Sequence, residues 1–242
     1  MARPTQFSQS RSPLAVIALL GVFIVALSSS AMAALVTWEL NPGNVTGNVG
    51  GSSHAYTVSG YTITARGYDH VTNGSDTNHD LFYKTAGPVG GAGERGLGLV
   101  GTLDHELQIN SNGTVANYIQ LDLRSILAQG FTGGQLEVGS IQSGESFRLF
   151  GSNAKGDLGT QLAGTWGSAF DEQFVSIPNF GSYQFISIAS NKDDVLPIAF
   201  RANVTPVPEL NALFPVVGLL VAVSATQILR RRRAARLGAS RT

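Results

Sequence analysis

The chain of 242 residues contains no cysteine, which excludes a disulfide-stabilised fold, a thiolate metal site, a cysteine nucleophile and a lipid-modified N-terminal cysteine. Charged residues are also scarce, at 13% against roughly 25% in ordinary soluble domains. The hydrophobic content of 43% nevertheless excludes a disordered, highly charged chain. The sequence therefore predicts a protein that folds around an apolar core without covalent cross-links.

The formal net charge of zero conceals a segregation of charge along the chain. Residues 34–207 contain eight Lys or Arg and fifteen Asp or Glu, a net charge of −7, whereas both flanking segments are basic. An acidic body does not suit nucleic acid, because phosphates bind to basic surfaces. We therefore expect no nucleic-acid partner, and a different role for the basic ends.

The N-terminal segment has the order of a secretory signal peptide. Arg3 and Arg11 precede an apolar run at 14–27, and small residues that end in Ala33 follow it. As a helix the run would reach roughly 21 Å, which is short for a hydrocarbon core of about 30 Å. We expect residues 1–33 to be a signal peptide, with cleavage by signal peptidase after Ala33 and export of the rest.

The C-terminal segment contains an uncharged, mostly apolar run at 212–229. As a helix this run would be about 27 Å long, enough to span a bilayer core with little tilt. Four consecutive arginines follow it: Arg230, Arg231, Arg232 and Arg233. Because basic residues stay on the cytoplasmic side, the pattern predicts a transmembrane helix with a stop-transfer cluster and an outward-facing body.

Residues 206–242 also resemble a known sorting signal. The four residues that carry the resemblance stand just before the predicted span: Val207, Pro208, Glu209 and Leu210. With the span and the Arg-rich tail at 230–236, they are similar to the PEP-CTERM family, whose motif is Val-Pro-Glu-Pro, with Leu210 in place of the second proline. The resemblance implies an exosortase-type membrane peptidase as partner, removal of the tail, and transfer of the body to the cell surface, extracellular matrix or exopolysaccharide. A plain membrane anchor is the alternative.

Residues 34–205 are expected to form one all-β domain. Apolar and polar residues alternate at 61–65, 118–123 and 198–204, as half-buried strands require. Further strands are expected at 35–40, 135–141, 147–149, 160–166, 173–177 and 182–189. Turns rich in Gly, Asn and Ser separate them, and only 123–129 looks helical. The pattern predicts a single antiparallel β-sandwich or jelly roll, with these aromatic residues in its core: Trp38, Tyr118, Phe147, Trp166, Phe174, Phe185 and Phe200.

The segment 69–106 holds the densest group of polar side chains. Asp76, Asn78 and Asp80 offer oxygen atoms at alternate positions, like the start of a calcium loop. Leu81 and Gly87 depart from the EF-hand pattern, because they replace a glycine and a bidentate glutamate. Two interpretations stay open, a calcium site and an Asx-rich turn that caps its own backbone. The four histidines lack the spacing of a zinc motif.

Catalysis is not expected from this sequence. Asp104 and Glu106 are two residues apart and could share a strand face, and a glycosidase needs such a pair of carboxylates. Paired acids are more often solvated charge, however, and no serine-nucleophile motif is present. The predicted function is a non-enzymatic structural or adhesive role at the cell surface. The alternatives are a calcium-assisted carbohydrate-binding module, with Tyr68, Tyr83 and Phe131 stacking on sugar rings, and a surface glycan hydrolase.

Overall fold

The computed structural model describes residues 33–85, 94–204 and 210–239, and in the last range it describes side chains for 217–233 only. Residues 33–205 form one compact unit, called the β body below, to which the C-terminal helix does not belong. Residues 1–32 of the predicted signal peptide and residues 205–209, which include Val207, Pro208 and Glu209, lie outside the described residues.

The described part of the β body contains fifteen strands and few helical turns. The strands are β1 (Ala34–Glu39), β2 (Gly47–Asn48), β3 (Ser53–Val58), β4 (Tyr61–Asp69), β5 (Thr77–His79), β6 (Leu81–Lys84), β7 (Gly96–Leu99), β8 (Asn117–Asp122), β9 (Phe131–Gly139), β10 (Ser146–Ser152), β11 (Thr160–Gln161), β12 (Trp166–Gly167), β13 (Gln173–Ser176), β14 (Phe185–Lys192) and β15 (Leu196–Val204). The helical elements are the 3₁₀ turns Leu103–His105 and Ser168–Phe170 and the short α-helix Arg124–Leu127.

The strands form three sheets in which every described pairing is antiparallel. The first sheet has the order β1-β15-β9-β13. The second has the order β11-β10-β14-β8-β4-β3, with β12 beside β10 and β5 beside β4, and the small third sheet has the order β2-β6-β7. The prediction of an all-β, antiparallel fold is confirmed.

Side chains of the two larger sheets contribute to one apolar cluster. Trp38 of β1 lies 5.5 Å from Phe200 of β15, ring centre to ring centre, and its indole N–H donates to the carbonyl of Tyr61 on β4 at 3.0 Å. Alternation along β8 directs Ile119 and Leu121 into the same cluster. Because a fully buried large apolar side chain contributes about 1.5–3 kcal/mol, this shared core is the main source of stability.

Most of the predicted core aromatics are buried. Five are almost completely inaccessible, namely Trp38, Tyr118, Phe147, Phe185 and Phe200, while Trp166 and Phe174 are half-buried. Tyr118 belongs to a second, smaller cluster with Tyr68 and Phe150. This cluster lies on the other face of the eight-stranded sheet, because Tyr118 alternates with Ile119 on β8.

One local prediction needs correction, and the structure also contains strands that were not predicted. The predicted strand at 160–166 is two short strands, β11 and β12, because Gly164 between them has φ +104° and interrupts the extended chain. The strand β3 was not predicted, since it is an edge strand with a half-exposed pattern. The segment 69–106 contains the strands β5, β6 and β7. The short helix within 123–129 is confirmed, and Gly130 follows it at φ +80°.

The C-terminal helix extends over Leu210–Ala239. Its described part exposes six large aliphatic side chains: Val217, Leu219, Val221, Val223, Ile228 and Leu229. The four arginines at 230–233 are exposed as well. Among the described residues, no helix has a stretch that is both long and apolar enough for a membrane crossing. The predicted span at 212–229 begins with five residues whose side chains are not described.

Candidate functional site

An open groove lies on the outer face of the eight-stranded sheet, the face opposite the main core. Residues of two segments, 68–78 and 155–157, line it, and its volume is about 550 Å³. We call it the outer groove. Its floor is Tyr68 of β4, which pairs with Tyr118 of β8 and stacks on it with ring centres 5.2 Å apart. Burial raises the pKa of Tyr68, so its hydroxyl stays protonated at neutral pH.

The first wall of the outer groove is held by Asp76, whose side chain is only 5% exposed. One carboxylate oxygen accepts the Tyr118 hydroxyl proton at 2.7 Å. The other accepts the Val71 backbone N–H at 2.8 Å and lies 3.0 Å from Nδ1 of His70. Burial, together with the bond to Asp76, raises the pKa of Tyr118. Asp76 thus fastens the loop 70–76 to the sheet.

The second wall is held by Gln120, the next outward-facing residue of β8 after Tyr118. Its side-chain oxygen accepts the Gly156 N–H at 2.9 Å, and its amide donates to the carbonyl of Asp157 at 2.9 Å. Gly156 has φ +74°, and a Cβ there would lie 3.2 Å from the ring of Tyr68. Glycine is therefore required where this loop crosses the aromatic floor.

The predicted calcium residues are only partly brought together. Asp76 and Asn78 line the outer groove, whereas Asp80 does not. Both oxygens of Asp76 accept hydrogen bonds from protein donors. Among the described residues there is no group of three or more His, Asp or Glu side chains that could hold a metal ion. Asp76 acts as the Asx-turn interpretation expects, by bonding to its own loop, and the calcium interpretation stays a prediction.

The predicted pair Asp104 and Glu106 does not share a strand face. Asp104 lies in the turn Leu103–His105 with φ +50° and is exposed, whereas Glu106 is 2% exposed. Because the chain turns at Asp104 instead of running straight, the two carboxylates do not face one another. Glu106 instead belongs to a buried cluster with Lys84, Glu94 and Ser140, called the lysine cluster below.

The lysine cluster places one cation between two carboxylates. Nζ of Lys84 donates to Glu94 at 2.9 Å and also to Glu106, and the Ser140 hydroxyl donates to Glu106 at 3.0 Å. Burial raises the pKa of Glu106 to about 7, because desolvation outweighs the attraction of Lys84. Burial lowers the pKa of Lys84, but its bonds to Glu106 and Glu94 outweigh burial and leave that pKa above the usual value.

His79 is another polar residue whose role the sequence did not reveal. Its Nδ1 lies 2.7 Å from a carboxylate oxygen of Asp69, and its Nε2 lies 2.6 Å from the carbonyl oxygen of Val100. Both neighbours are acceptors, so the ring satisfies both only when it carries two protons. Burial lowers the pKa of His79, but the bonds to Val100 and Asp69 outweigh burial and raise it above the usual value.

The three aromatic residues predicted to stack on sugars lie in different environments. Phe131 is buried and packs against Trp38 and Tyr61, with ring centres 5.7 and 4.8 Å away. Tyr83 is half-buried on β6 beside His54. Only Tyr68 lines the outer groove. The wall residues Lys155 and Asp157 carried no local sequence signal, because their segment follows β10 and meets 68–78 only through the pairing of β4, β8, β14 and β10.

Of the predicted sorting residues, Leu210 begins the C-terminal helix, and Arg230, Arg231, Arg232 and Arg233 lie exposed near its end. Comparison with known proteins adds nothing to this picture: no protein-family model, no curated protein and no solved structure matches the chain. Any functional conclusion therefore rests on the residues of this chain.

Proposed function

We propose that the chain is a non-enzymatic, exported protein that an exosortase-type peptidase sorts to the cell surface or extracellular matrix, where the β body has a structural or adhesive role. The observation that carries the proposal is the separation of a complete β body from the helix that follows it. The last strand, β15, ends at Val204, before the motif at 207–210. Removal of everything after the motif would leave every described strand in place.

The N-terminal boundary supports the same proposal. The strand β1 begins at Ala34, directly after the expected signal-peptidase site, and Ala34 pairs with Val204 of β15. Cleavage after Ala33 and near Pro208 would therefore trim the chain just outside two paired strand ends. Neither cut would remove a residue of the described strands, so the processed chain keeps every described strand.

The C-terminal helix supports membrane anchoring before the tail is removed. Its described residues expose aliphatic side chains such as Leu219, which is 64% exposed, and contiguous apolar surface of this kind is typical of membrane or protein contact. The arginines at 230–233 suit the cytoplasmic side of a bilayer. We infer a membrane-spanning role for 212–229 as a whole, including residues 212–216.

For the β body we infer a β-sandwich, since the four-stranded and eight-stranded sheets supply side chains to one apolar cluster. A glycan hydrolase is not part of the proposal, because Asp104 is exposed while Glu106 is paired with Lys84. The expected partners are signal peptidase, the exosortase-type peptidase and exopolysaccharide.

Cell fractionation of producing cells tests the proposal, with antibodies against the β body and against an epitope added after Thr242. Wild-type protein should reach the surface or medium without the epitope. The double variant Pro208→Ala, Glu209→Ala should keep the epitope and stay in the membrane fraction. Asn211→Ala, which lies just outside the motif, is the matched control and should behave as wild type. Normal processing of the double variant would contradict the proposal.

A further inference from the structure

We propose that the outer groove binds a neutral saccharide without calcium. This inference rests on the proposed function in one respect: export is what would bring the groove into contact with extracellular sugars. Several polar side chains that line the groove make no hydrogen bond within the described part of the fold. Its volume of about 550 Å³ falls within the roughly 300–1,000 Å³ of small-molecule sites.

The first argument is the set of groups that the groove leaves free. In the described part of the chain, four polar side chains on its surface make no hydrogen bond to protein: Asn73, Ser75, Asn78 and Lys155. Amides and hydroxyls both donate and accept, and the lysine donates. Such a mixed set matches sugar hydroxyls, each of which is both a donor and an acceptor.

The second argument is the charge of the groove. The carboxylate of Asp76 is already bonded to Tyr118 and Val71, and that of Asp157 accepts the Ser152 hydroxyl at 2.8 Å and the Gly159 N–H at 3.2 Å. A metal cation would compete with these donors. An anionic ligand would meet the two carboxylates and an acidic body, while Lys155 is the one Lys or Arg among the described lining residues. A neutral polar ligand avoids both costs.

The third argument is preorganisation. Tyr118 and Gln120 are completely buried and occupy consecutive outward positions on β8, where one holds each wall of the groove. Because a rigid strand positions both walls, little conformational freedom remains to be lost when a ligand binds. Tyr68 beneath the groove is only 3% exposed, so contact with a ligand falls to the free polar side chains and not to ring stacking.

The test uses the purified full-length protein in a detergent that has no sugar headgroup. A glycan array of neutral glucan, galactan and mannan oligosaccharides, with oligogalacturonate as the acidic probe, identifies a binder, and isothermal titration calorimetry measures its affinity. We expect binding of a neutral oligosaccharide that EDTA leaves unchanged. Asn78→Ala and Lys155→Ala should each weaken it about tenfold, as expected for the loss of one good hydrogen bond.

The matched control is Lys192→Ala, which removes an exposed lysine outside the groove. It should leave the affinity unchanged. An equal loss in both lysine variants, a preference for oligogalacturonate, loss of binding in EDTA, or no binding to any neutral probe would each overturn the proposal. None of these results bears on the fate of the tail, so failure of the groove and failure of the sorting proposal are separate outcomes.

Discussion

Asp76 and Glu106 are both buried carboxylates of the β body, but their surroundings differ. Asp76 receives a hydroxyl and a backbone N–H, and it lies beside His70. Glu106 receives a hydroxyl and an ammonium, but that ammonium is shared with Glu94. Desolvation by burial raises the pKa of Glu106 to about 7, because it outweighs the attraction of Lys84, and the nearby charge of Glu94 adds to the rise.

The comparison separates two uses of buried polar groups. The Asp76 network ties a loop to the sheet and shapes a wall of the outer groove, where neighbouring side chains stay free for a ligand. The lysine cluster instead joins Lys84 at the end of β6 to Ser140, directly after β9. We therefore expect changes at the first network to alter the groove at modest cost, and changes at the second to alter the stability of the whole body.

The largest effect should come from Lys84→Met. This change leaves Glu94 and Glu106 without their shared cation, and breaking a buried ion pair in this way costs about 3–5 kcal/mol. Urea unfolding at pH 8 measures the free energy of unfolding. Lys155→Met is the matched control, because that lysine is exposed and makes no hydrogen bond in the described structure, and it should change stability by less than about 0.5 kcal/mol. Equal losses of stability in Lys84→Met and Lys155→Met would contradict the view that the lysine cluster stabilises the body more than the groove does.

The next effect is a pH dependence that belongs to the lysine cluster. Burial raises the pKa of folded Glu106 to about 7, whereas in the unfolded chain this carboxyl has its ordinary pKa of about 4.5. The folded state therefore binds more protons in this window, and the free energy of unfolding should fall as pH rises from 4.5 to 7, by at most roughly 3 kcal/mol. Glu106→Gln should flatten this part of the profile. A slope of the opposite sign would show that Lys84 dominates.

A smaller effect is expected at the wall of the groove. Asp76→Ala leaves the buried Tyr118 hydroxyl and the Val71 N–H without their acceptor and should cost about 1–3 kcal/mol. Tyr118→Phe removes only the donor and should cost about 1 kcal/mol. Urea unfolding compares the two variants, and hydrogen exchange at Val71 reports whether the loop has detached. A more destabilising Tyr118→Phe would mean that aromatic packing, and not the carboxylate, holds the wall.

The smallest effect concerns His79. The pKa of His79 is higher in the folded state than in the unfolded chain, where it is about 6.5. Below pH 6.5 the charged ring therefore contributes its full stabilisation. That contribution is lost as the pH rises through the folded-state pKa. His79→Gln should therefore destabilise the protein more at pH 6 than at pH 8.5. Both proteins retain Glu106, so the difference between their profiles isolates the histidine. Equal destabilisation at both pH values would contradict a charged ring.

The sequence predicted those parts of the fold that have a local signal. Strands β4, β8 and β15 have long apolar and polar alternation, and the structure places strands there. Strand β3 lies at a sheet edge with one half-exposed face, so its pattern is weak. The two-residue strands β11 and β12 exist because they pair with β10. No local sequence pattern predicts that pairing.

The candidate site was predicted only in part, for the same reason. The sequence indicated Asp76 and Asn78 as candidate ligands within a group of polar side chains, and both line the groove. Tyr118, the partner of Asp76, lies 42 residues away, and Gly156 lies 36 residues from Gln120. These contacts depend on sheet register, so the sequence could suggest a calcium loop but could not show that the carboxylate is already bonded to protein.

The intact mass of the protein isolated from the cell surface tests the central claim most directly. The account predicts a chain that starts at Ala34 and ends before the C-terminal arginines, with the β body complete. A surface-isolated chain whose mass still includes Arg230–Arg233, or still includes the first thirty-three residues, would contradict it.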